Sequence, residues 1–304
     1  MNKVINFTVR VPATTANFGS GFDSIGMALD LWNIVEVSSN TNNNIIIEGE
    51  GEGQLSIGKD HLIYSSMVLA ADRIKFELPP LLLRSINSIP LTRGLGSSAA
   101  AVVAGVMITN HLAGNVFDEQ ELLNLCSEIE GHPDNVAPAL FGGVRLVVKN
   151  HNDYVDRDIN IKGGLDTLVL IPDFTLETKS AREVIPSQVP INDAVFNLSR
   201  SSLLVRSMLT GDWKDLKLAT EDRLHQIYRV RLIPEMQETF DALLKAGAYA
   251  VFISGAGPTI IGLIDSEKSG EIYAELNDHI GKTGFKGRVL NVNPSILGAH
   301  VIEG

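Results

Sequence analysis

Apolar and polar residues alternate from Lys3 to Val11, the period of a half-buried strand. The alternation breaks at Ala13–Asp23, a loop rich in Gly, Ser and Thr, and resumes over Ile34–Ser38. Asn40–Asn44 is a short polar run, read as the tip of a hairpin whose second arm is Ile45–Glu48. Leu62–Phe76 carries apolar residues at helical spacing, and Leu81–Ser85 reads as a strand. Ser97–Leu112 is apolar almost all round, which predicts a buried helix, with Gly114 placed to end it. Asp118–Glu130 is amphipathic with a helical period, and Val144–Lys149 is a strand.

His151–Gly164 is polar and charged and has no strong period, so the domain boundary is placed there, giving units 1–152 and 153–304. The second unit reads as a strand over Thr167–Ile171, then helices over Ala194–Thr210, Trp213–Leu218 and Glu235–Ala246. Strands over Tyr249–Ser254 and Ile260–Ile264 follow, then a helix over Ser269–Ile280 and a strand over Gly287–Val292. Antiparallel strands mixed with helices predict α+β in both halves. No internal repeat is present.

Composition narrows the function. With 304 residues, 44% hydrophobic and 20% charged, the chain suits two domains with a sizeable core. A net charge of −11 argues against nucleic acid as a partner. No apolar run is long enough to span a bilayer, and the first residues lack the basic start and apolar middle of a secretory signal. A cytoplasmic protein with no membrane partner is expected. Cys126 is the only cysteine, which rules out an internal disulfide, and its neighbours Leu122, Leu123 and Ile129 mark it as core.

Four loops hold polar groups that a core does not need. The stretch Pro90-Leu91-Thr92-Arg93-Gly94-Leu95-Gly96-Ser97-Ser98-Ala99-Ala100 joins a glycine turn to a helix start. Glycine allows close backbone approach, and a helix N-terminus offers free N–H groups and a positive dipole end, a site for phosphate. No Lys follows the glycines as in a Walker A loop, and Arg93 is the only cation inside the stretch. An ordinary loop with a Ser cap has the same composition. In the first loop, Asn17 and Asp23 lie among glycines, either near a ligand or in turns held by their own side chains. Glu130-Gly131-His132-Pro133-Asp134-Asn135 gathers four polar side chains after a helix. A carboxylate there suits Mg²⁺ shared with phosphate oxygens, whereas one His and no nearby Cys are too few ligands for zinc. A helix end followed by a Pro turn is the plainer reading. Ser254-Gly255-Ala256-Gly257-Pro258-Thr259 joins two apolar strands as a hairpin turn would. Arg182, Arg229 and Arg231 are forks suited to a carboxylate, or simply solvated.

The order of the four loops carries more than any one of them. PATTANFGSGFD, PLTRGLGSSAAAV, EGHPDNVAPALFGG and SGAGPT, in that order, resemble the GHMP-superfamily kinases and, within them, the homoserine kinase family. The resemblance spans nearly the whole chain. It implies an N-terminal domain like the second domain of ribosomal protein S5, with a left-handed βαβ crossover, and a ferredoxin-like C-terminal domain. It implies transfer of the ATP γ-phosphoryl group to the side-chain hydroxyl of L-homoserine, on the way to threonine, by a homodimer. Carried over by position, Pro90–Ala100 would wrap the triphosphate, with Ser98 and Glu130 on Mg²⁺. Asn17 and Asp23 would hold the substrate ammonium, and Arg182 and Arg229 its carboxylate. Asn135 would meet the reacting hydroxyl, His132 would line the pocket, and the Gly255–Gly257 turn would close it. The chain departs from the pattern at Ser20, where Pro is frequent, and at His61, where Asn near the adenine is usual.

Two other readings stand beside this one. A mevalonate-type kinase would usually carry an Asp where Asn135 stands and a catalytic Lys near the N-terminus, where only Lys3 precedes the first loop. A non-catalytic metabolite-binding homologue would not need Ser98 and Glu130 for a metal.

Overall fold

The computed structural model describes residues 5–283 and 285–304, with residues 279 and 281–283 as backbone only. Lys3 and the first residues of the expected N-terminal strand lie outside the described residues. The first half runs β1 (Asn6–Ala16), β2 (Ile25–Ser39), β3 (Asn44–Gly49), α1 (Leu62–Ile74), β4 (Leu81–Asn87), α2 (Ser97–Leu112), α3 (Glu119–Glu130), α4 (Pro133–Phe141), β5 (Val144–Asn150) and β6 (Asp153–Asp158). The second runs β7 (Leu165–Pro172), α5 (Thr178–Glu183), α6 (Ile191–Thr210), α7 (Leu216–Ala219), α8 (Gln226–Arg229), α9 (Met236–Lys245), β8 (Ala250–Ile253), β9 (Ile260–Asp265), α10 (Ser269–Thr283), β10 (Gly287–Val292) and β11 (His300–Glu303).

Two sheets organise these elements. The larger has the order β11-β1-β2-β4-β3, with the β5–β6 hairpin joined to β2. The smaller has the order β10-β7-β9-β8 and is antiparallel throughout. Read from β7, the second half is β-helices-β-β-α-β, the ferredoxin-like arrangement. The mixed content agrees with the α+β class expected.

Two expectations fail, both for reasons of strand pairing. The hairpin over Asn40–Asn44 does not form, because β4 lies between β2 and β3. β3 instead pairs parallel to β4, with α1 as the crossover between them. The polar stretch after residue 151 is not irregular: Asp153–Asp158 forms β6 and pairs antiparallel with β5. Its residues are half-buried or exposed, so no apolar alternation marks them as a strand. The boundary expected at 152/153 therefore falls inside the β5–β6 hairpin. The far C-terminus returns to the first sheet as β11, the edge partner of β1.

Side-chain alternation along the small sheet joins the two halves. Val169, Ile171, Ala250, Phe252, Ile261 and Leu263 enter the large core shared with the first sheet. Their alternates Leu168, Leu170, Val251, Ile253, Ile260 and Ile264 enter a second core with Leu243 of α9 and Ile272 and Leu276 of α10. A sheet buried on both faces reads as near-continuous apolar strands, which is how β7, β8 and β9 read. One shared core holds the loops at the sheet ends in fixed relation, and the site is built there. No helix among the described residues is long and apolar enough to cross a membrane.

Candidate active site

The glycine loop before α2 is held in a shape that only glycine allows. Gly94 and Gly96 have φ of 77° and 70°. A Cβ on Gly94 would lie 2.2 Å from the Ser254 carbonyl oxygen, and one on Gly96 would lie 1.9 Å from Thr14 Oγ1. Gly96 caps α2, so the free N–H groups of the first helical turn open where the loop ends. Arg93 is not turned to that opening. Its guanidinium donates to the carbonyls of Pro172 (2.9 Å), Leu91 (3.1 Å) and Asp173 (2.7 Å), tying the loop to the end of β7. An anion placed in the loop would therefore meet backbone N–H groups and the helix end rather than this guanidinium.

α3 delivers the carboxylate. A capping box of Asp118 and Glu121 starts the helix, and Gly131 at φ 90° ends it directly after Glu130. Ser98 Oγ donates to Glu130 Oε2 at 2.7 Å. Burial pushes the Glu130 carboxyl above its ordinary pKa, and the Ser98 hydrogen bond opposes that shift. A carboxylate and a hydroxyl are hard oxygen donors, too few to enclose a cation but enough for Mg²⁺ that keeps water and phosphate oxygens. Among the described residues no three His, Cys, Asp or Glu side chains form a metal cluster.

α4 begins at once, with His132 as its cap residue and Pro133 at the first helical position. Thr14 Oγ1 donates to Asn135 Oδ1 at 2.7 Å, which turns Asn135 Nδ2 toward Asp134 Oδ1 at 3.3 Å. Asp134 is buried, and burial first, then the charge of Asp23, pushes its pKa up to about 7. Burial and the charge of Arg182 hold His132 below the ordinary imidazole range, so its ring is neutral at pH 7.

The opposite wall is cationic. Arg182 on α5 makes a two-point ion pair with Asp23, at 3.0 and 2.6 Å. Arg229 at the end of α8 is only 1% exposed. It donates to the carbonyls of Ala181 (3.0 Å) and Gly255 (2.8 Å) and contacts His225 Nδ1 at 3.0 Å. His225 Nε2 lies 2.8 Å from the Gly19 carbonyl, which fixes the neutral tautomer with the proton on Nε2. Burial holds His225 down near a pKa of about 4, and burial with nearby Arg182 brings Arg229 to about 10, still a cation at neutral pH. Asp222 accepts the backbone N–H groups of Leu224, His225 and Gln226 and so fixes the start of α8. Arg231, the third arginine considered, is exposed.

Asn17 is used within the protein. Its Nδ2 donates to the Gly255 carbonyl at 2.8 Å and its Oδ1 accepts the Asp23 N–H at 2.9 Å, so it positions the acid rather than leaving its whole amide open. The turn between β8 and β9 is the hairpin expected, and it docks on the first half. Ser254 Oγ lies 2.6 Å from the Gly94 carbonyl, and Gly255 N–H donates to the Ala16 carbonyl at 3.1 Å. One cavity of about 380 Å³ runs along these groups, lined by Pro90–Ser98, Glu130, His132, Asp134, Asn135, Arg182, Arg229 and Gly255. Gly257 does not line it; a Cβ there would meet Ile233 and Ile253, so it serves the turn. His61 also lines the cavity, with its Nδ1 buried and unpartnered.

Sequence reading missed Thr14, Phe22, Asp222 and His225. Phe22 stacks on His225 with ring centroids 4.8 Å apart, and both arginines sit over its ring. An aromatic between two glycine-loop polar residues was the one available signal. Asp222 and His225 sit in a short segment without periodicity, where only the fold gives them partners.

Residues 61–143 match the family model described as GHMP kinases N terminal domain, and residues 204–282 match GHMP kinases C terminal. The chain is 39% identical over 294 residues to a homoserine kinase of Desulfitobacterium hafniense, covering 97% of this chain and 99% of the relative. It is 42% identical over 294 residues to a homoserine kinase of Moorella thermoacetica, with the same coverage. The crystal structure of homoserine kinase from Cytophaga hutchinsonii superposes with a TM-score of 0.87 at 28% identity, over 98% of this chain and 97% of that one. The Methanococcus jannaschii mevalonate kinase, at 16% identity and a TM-score of 0.72 over 96% of this chain and 99% of that one, shares the fold.

Proposed function

This chain belongs to the homoserine kinase family of GHMP kinases, and on that premise we propose that it transfers the γ-phosphoryl group of ATP to the side-chain hydroxyl of L-homoserine, giving O-phospho-L-homoserine. The observation that carries the reading is the pairing of ends in one cavity. A glycine loop and helix start suited to phosphate share the cavity with two arginines, and one of these, Arg182, holds the Asp23 carboxylate, which is not itself a lining residue, in a set suited to a zwitterion. Pro90–Ala100 wrap the triphosphate, with the free N–H groups at the start of α2 as donors. Ser98 and Glu130 hold Mg²⁺, which when bound neutralises charge on the phosphates. Asp23, kept in place by Asn17, takes the ammonium, while Arg182 and Arg229 take the carboxylate. His132 lines the acceptor pocket and the Gly255 turn closes it. The same reading includes a cytoplasmic homodimer, which a monomer in sedimentation velocity would remove.

The test is an acceptor screen at fixed ATP and Mg²⁺. Homoserine is expected to be phosphorylated with kcat/KM at least about 10²-fold above mevalonate, because a site built for charged hydrogen-bonding groups rejects analogues that leave them unpaired. Equal use of mevalonate, or ATP turnover that ignores homoserine, would overturn the reading.

Asn135 lines the cavity, its amide carbonyl accepting from Thr14 and its Nδ2 donating to Asp134, and in this reading it orients the hydroxyl. An amide has no basic nitrogen, and a loose transition state leaves the hydroxyl proton in place until late, so no side chain needs to remove it early. Asp134 is the neighbour that tests this. A carboxyl whose pKa is raised in the folded state stabilises the fold below its unfolded value, near pH 4. That contribution is lost as pH rises through about 7. Asp134→Asn should therefore gain stability over the parent between pH 5 and pH 8 in urea denaturation, while any acidic limb in the pH profile of kcat is the same in both proteins. Loss of that limb together with a drop of about 10²-fold or more in kcat would make Asp134 the general base.

A further inference from the structure

Two groups assigned above to opposite ends of the substrate are bound to each other. Arg182 Nη1 donates to Asp23 Oδ2 at 3.0 Å and Nη2 to Oδ1 at 2.6 Å, linking positions 159 residues apart. The pair is not sealed in the core: the two side chains are 33% and 37% exposed, and Arg182 lines the cavity. Nor does it satisfy the arginine. Arg182 Nε is buried and has no acceptor, so one donor of the fork remains unused. The surroundings let the side chain exchange partners while the backbone stays. Arg229 holds the carbonyl of Ala181, the residue before Arg182, and the Phe22 ring lies beneath both guanidinium groups, 5.7 and 5.6 Å from its centroid.

We propose that the Asp23–Arg182 pair is a placeholder for the charges of the amino-acid substrate and is exchanged when it binds. The proposal rests on the amino-acid reading of the site. The substrate ammonium takes over Asp23, its carboxylate takes over Arg182, and one internal ion pair becomes two intermolecular ones. Opening the pair releases both partners at once. A zwitterion fills both vacated positions. A ligand with a single charge fills one and leaves the other partly buried and unpaired, which is costly. The site thus selects for two charges on one ligand, and the contribution of each depends on the other.

The consequence is a gain of binding that a fixed pair of subsites does not give. In Asp23→Asn the guanidinium of Arg182 is released, so 4-hydroxybutyrate, which carries only the carboxylate, should bind about tenfold more tightly than to the parent. In Arg182→Gln the Asp23 carboxylate is released, and 3-aminopropan-1-ol, which carries only the ammonium, should gain by about the same factor. Tenfold is the affinity recovered when a competent form populated about one part in ten becomes the resting form. Homoserine itself should bind both variants more weakly. A pair this exposed contributes little to folding, so both variants are expected to fold, checked by thermal melting.

The measurement is titration calorimetry of the full chain and both variants with homoserine and the two single-charge ligands, without nucleotide. A gain by either folded variant for its matching ligand supports exchange. No gain in either overturns it, even if the parent binds and phosphorylates homoserine. Failure of the parent to bind homoserine would instead remove the amino-acid reading on which the proposal stands.

Discussion

Glu130→Ala is expected to lower kcat by about 10²-fold or more at ordinary Mg²⁺, the usual cost of removing one group that stabilises transferring charge. Glu130 has no structural task that would explain such a loss. It ends α3, and its carboxylate accepts from Ser98, which is itself exposed. Losing that bond costs about 1 kcal/mol of stability at most. Burial raises the carboxyl's pKa against the Ser98 hydrogen bond, so a cation beside it would be stabilising. Glu130→Gln separates charge from shape, because it keeps the size and an oxygen that can accept from Ser98. It should lose nearly as much activity as Glu130→Ala while melting like the parent. Parent-like turnover in either variant refutes the metal assignment.

Arg229→Ala should fail in two ways at once. The side chain is almost wholly buried, and its removal leaves the Ala181 carbonyl and His225 Nδ1 without their donor and the Gly255 carbonyl with Asn17 alone. Breaking a buried charged network of this kind costs about 3–5 kcal/mol of stability. Homoserine binding should lose a further 2–5 kcal/mol or so, measured by calorimetry at a temperature where the variant is folded. Arg182→Ala separates the two effects. Its side chain is about one-third exposed, so binding falls while melting changes little. Arg229→Lys should not rescue, since an ammonium cannot reach three acceptors spread around a planar fork. Normal homoserine affinity in both alanine variants would place the carboxylate elsewhere in the cavity.

The elements of both halves were legible wherever burial imposed a period. α2, α3 and the four strands of the small sheet stand close to their expected positions, whereas β1 runs on to Ala16, into the stretch expected as loop. β6 was not legible, because an edge strand with half-exposed residues on both faces has no apolar alternation. The false hairpin over Asn40–Asn44 had the opposite cause. Its two arms are real strands, but pairing between strands is not written in their own residues, and β4 comes between them from 30 residues further on or more.

What the sequence determined by itself was chemistry of local origin: the glycine turn before α2, the carboxylate at the end of α3, and the order of four loops that marks the family. These depend on backbone conformation and spacing within a few residues, so they are readable one segment at a time. The tertiary structure alone decided what each polar group does once placed. It turned Arg93 from the phosphate opening to the end of β7, and it engaged both ends of the Asn17 amide. It brought Asp23 onto Arg182, and it buried Arg229 against His225. Charge and hydrogen-bonding capacity belong to a residue, but desolvation and the choice of partner belong to the packing, and these set whether a group is free for a ligand.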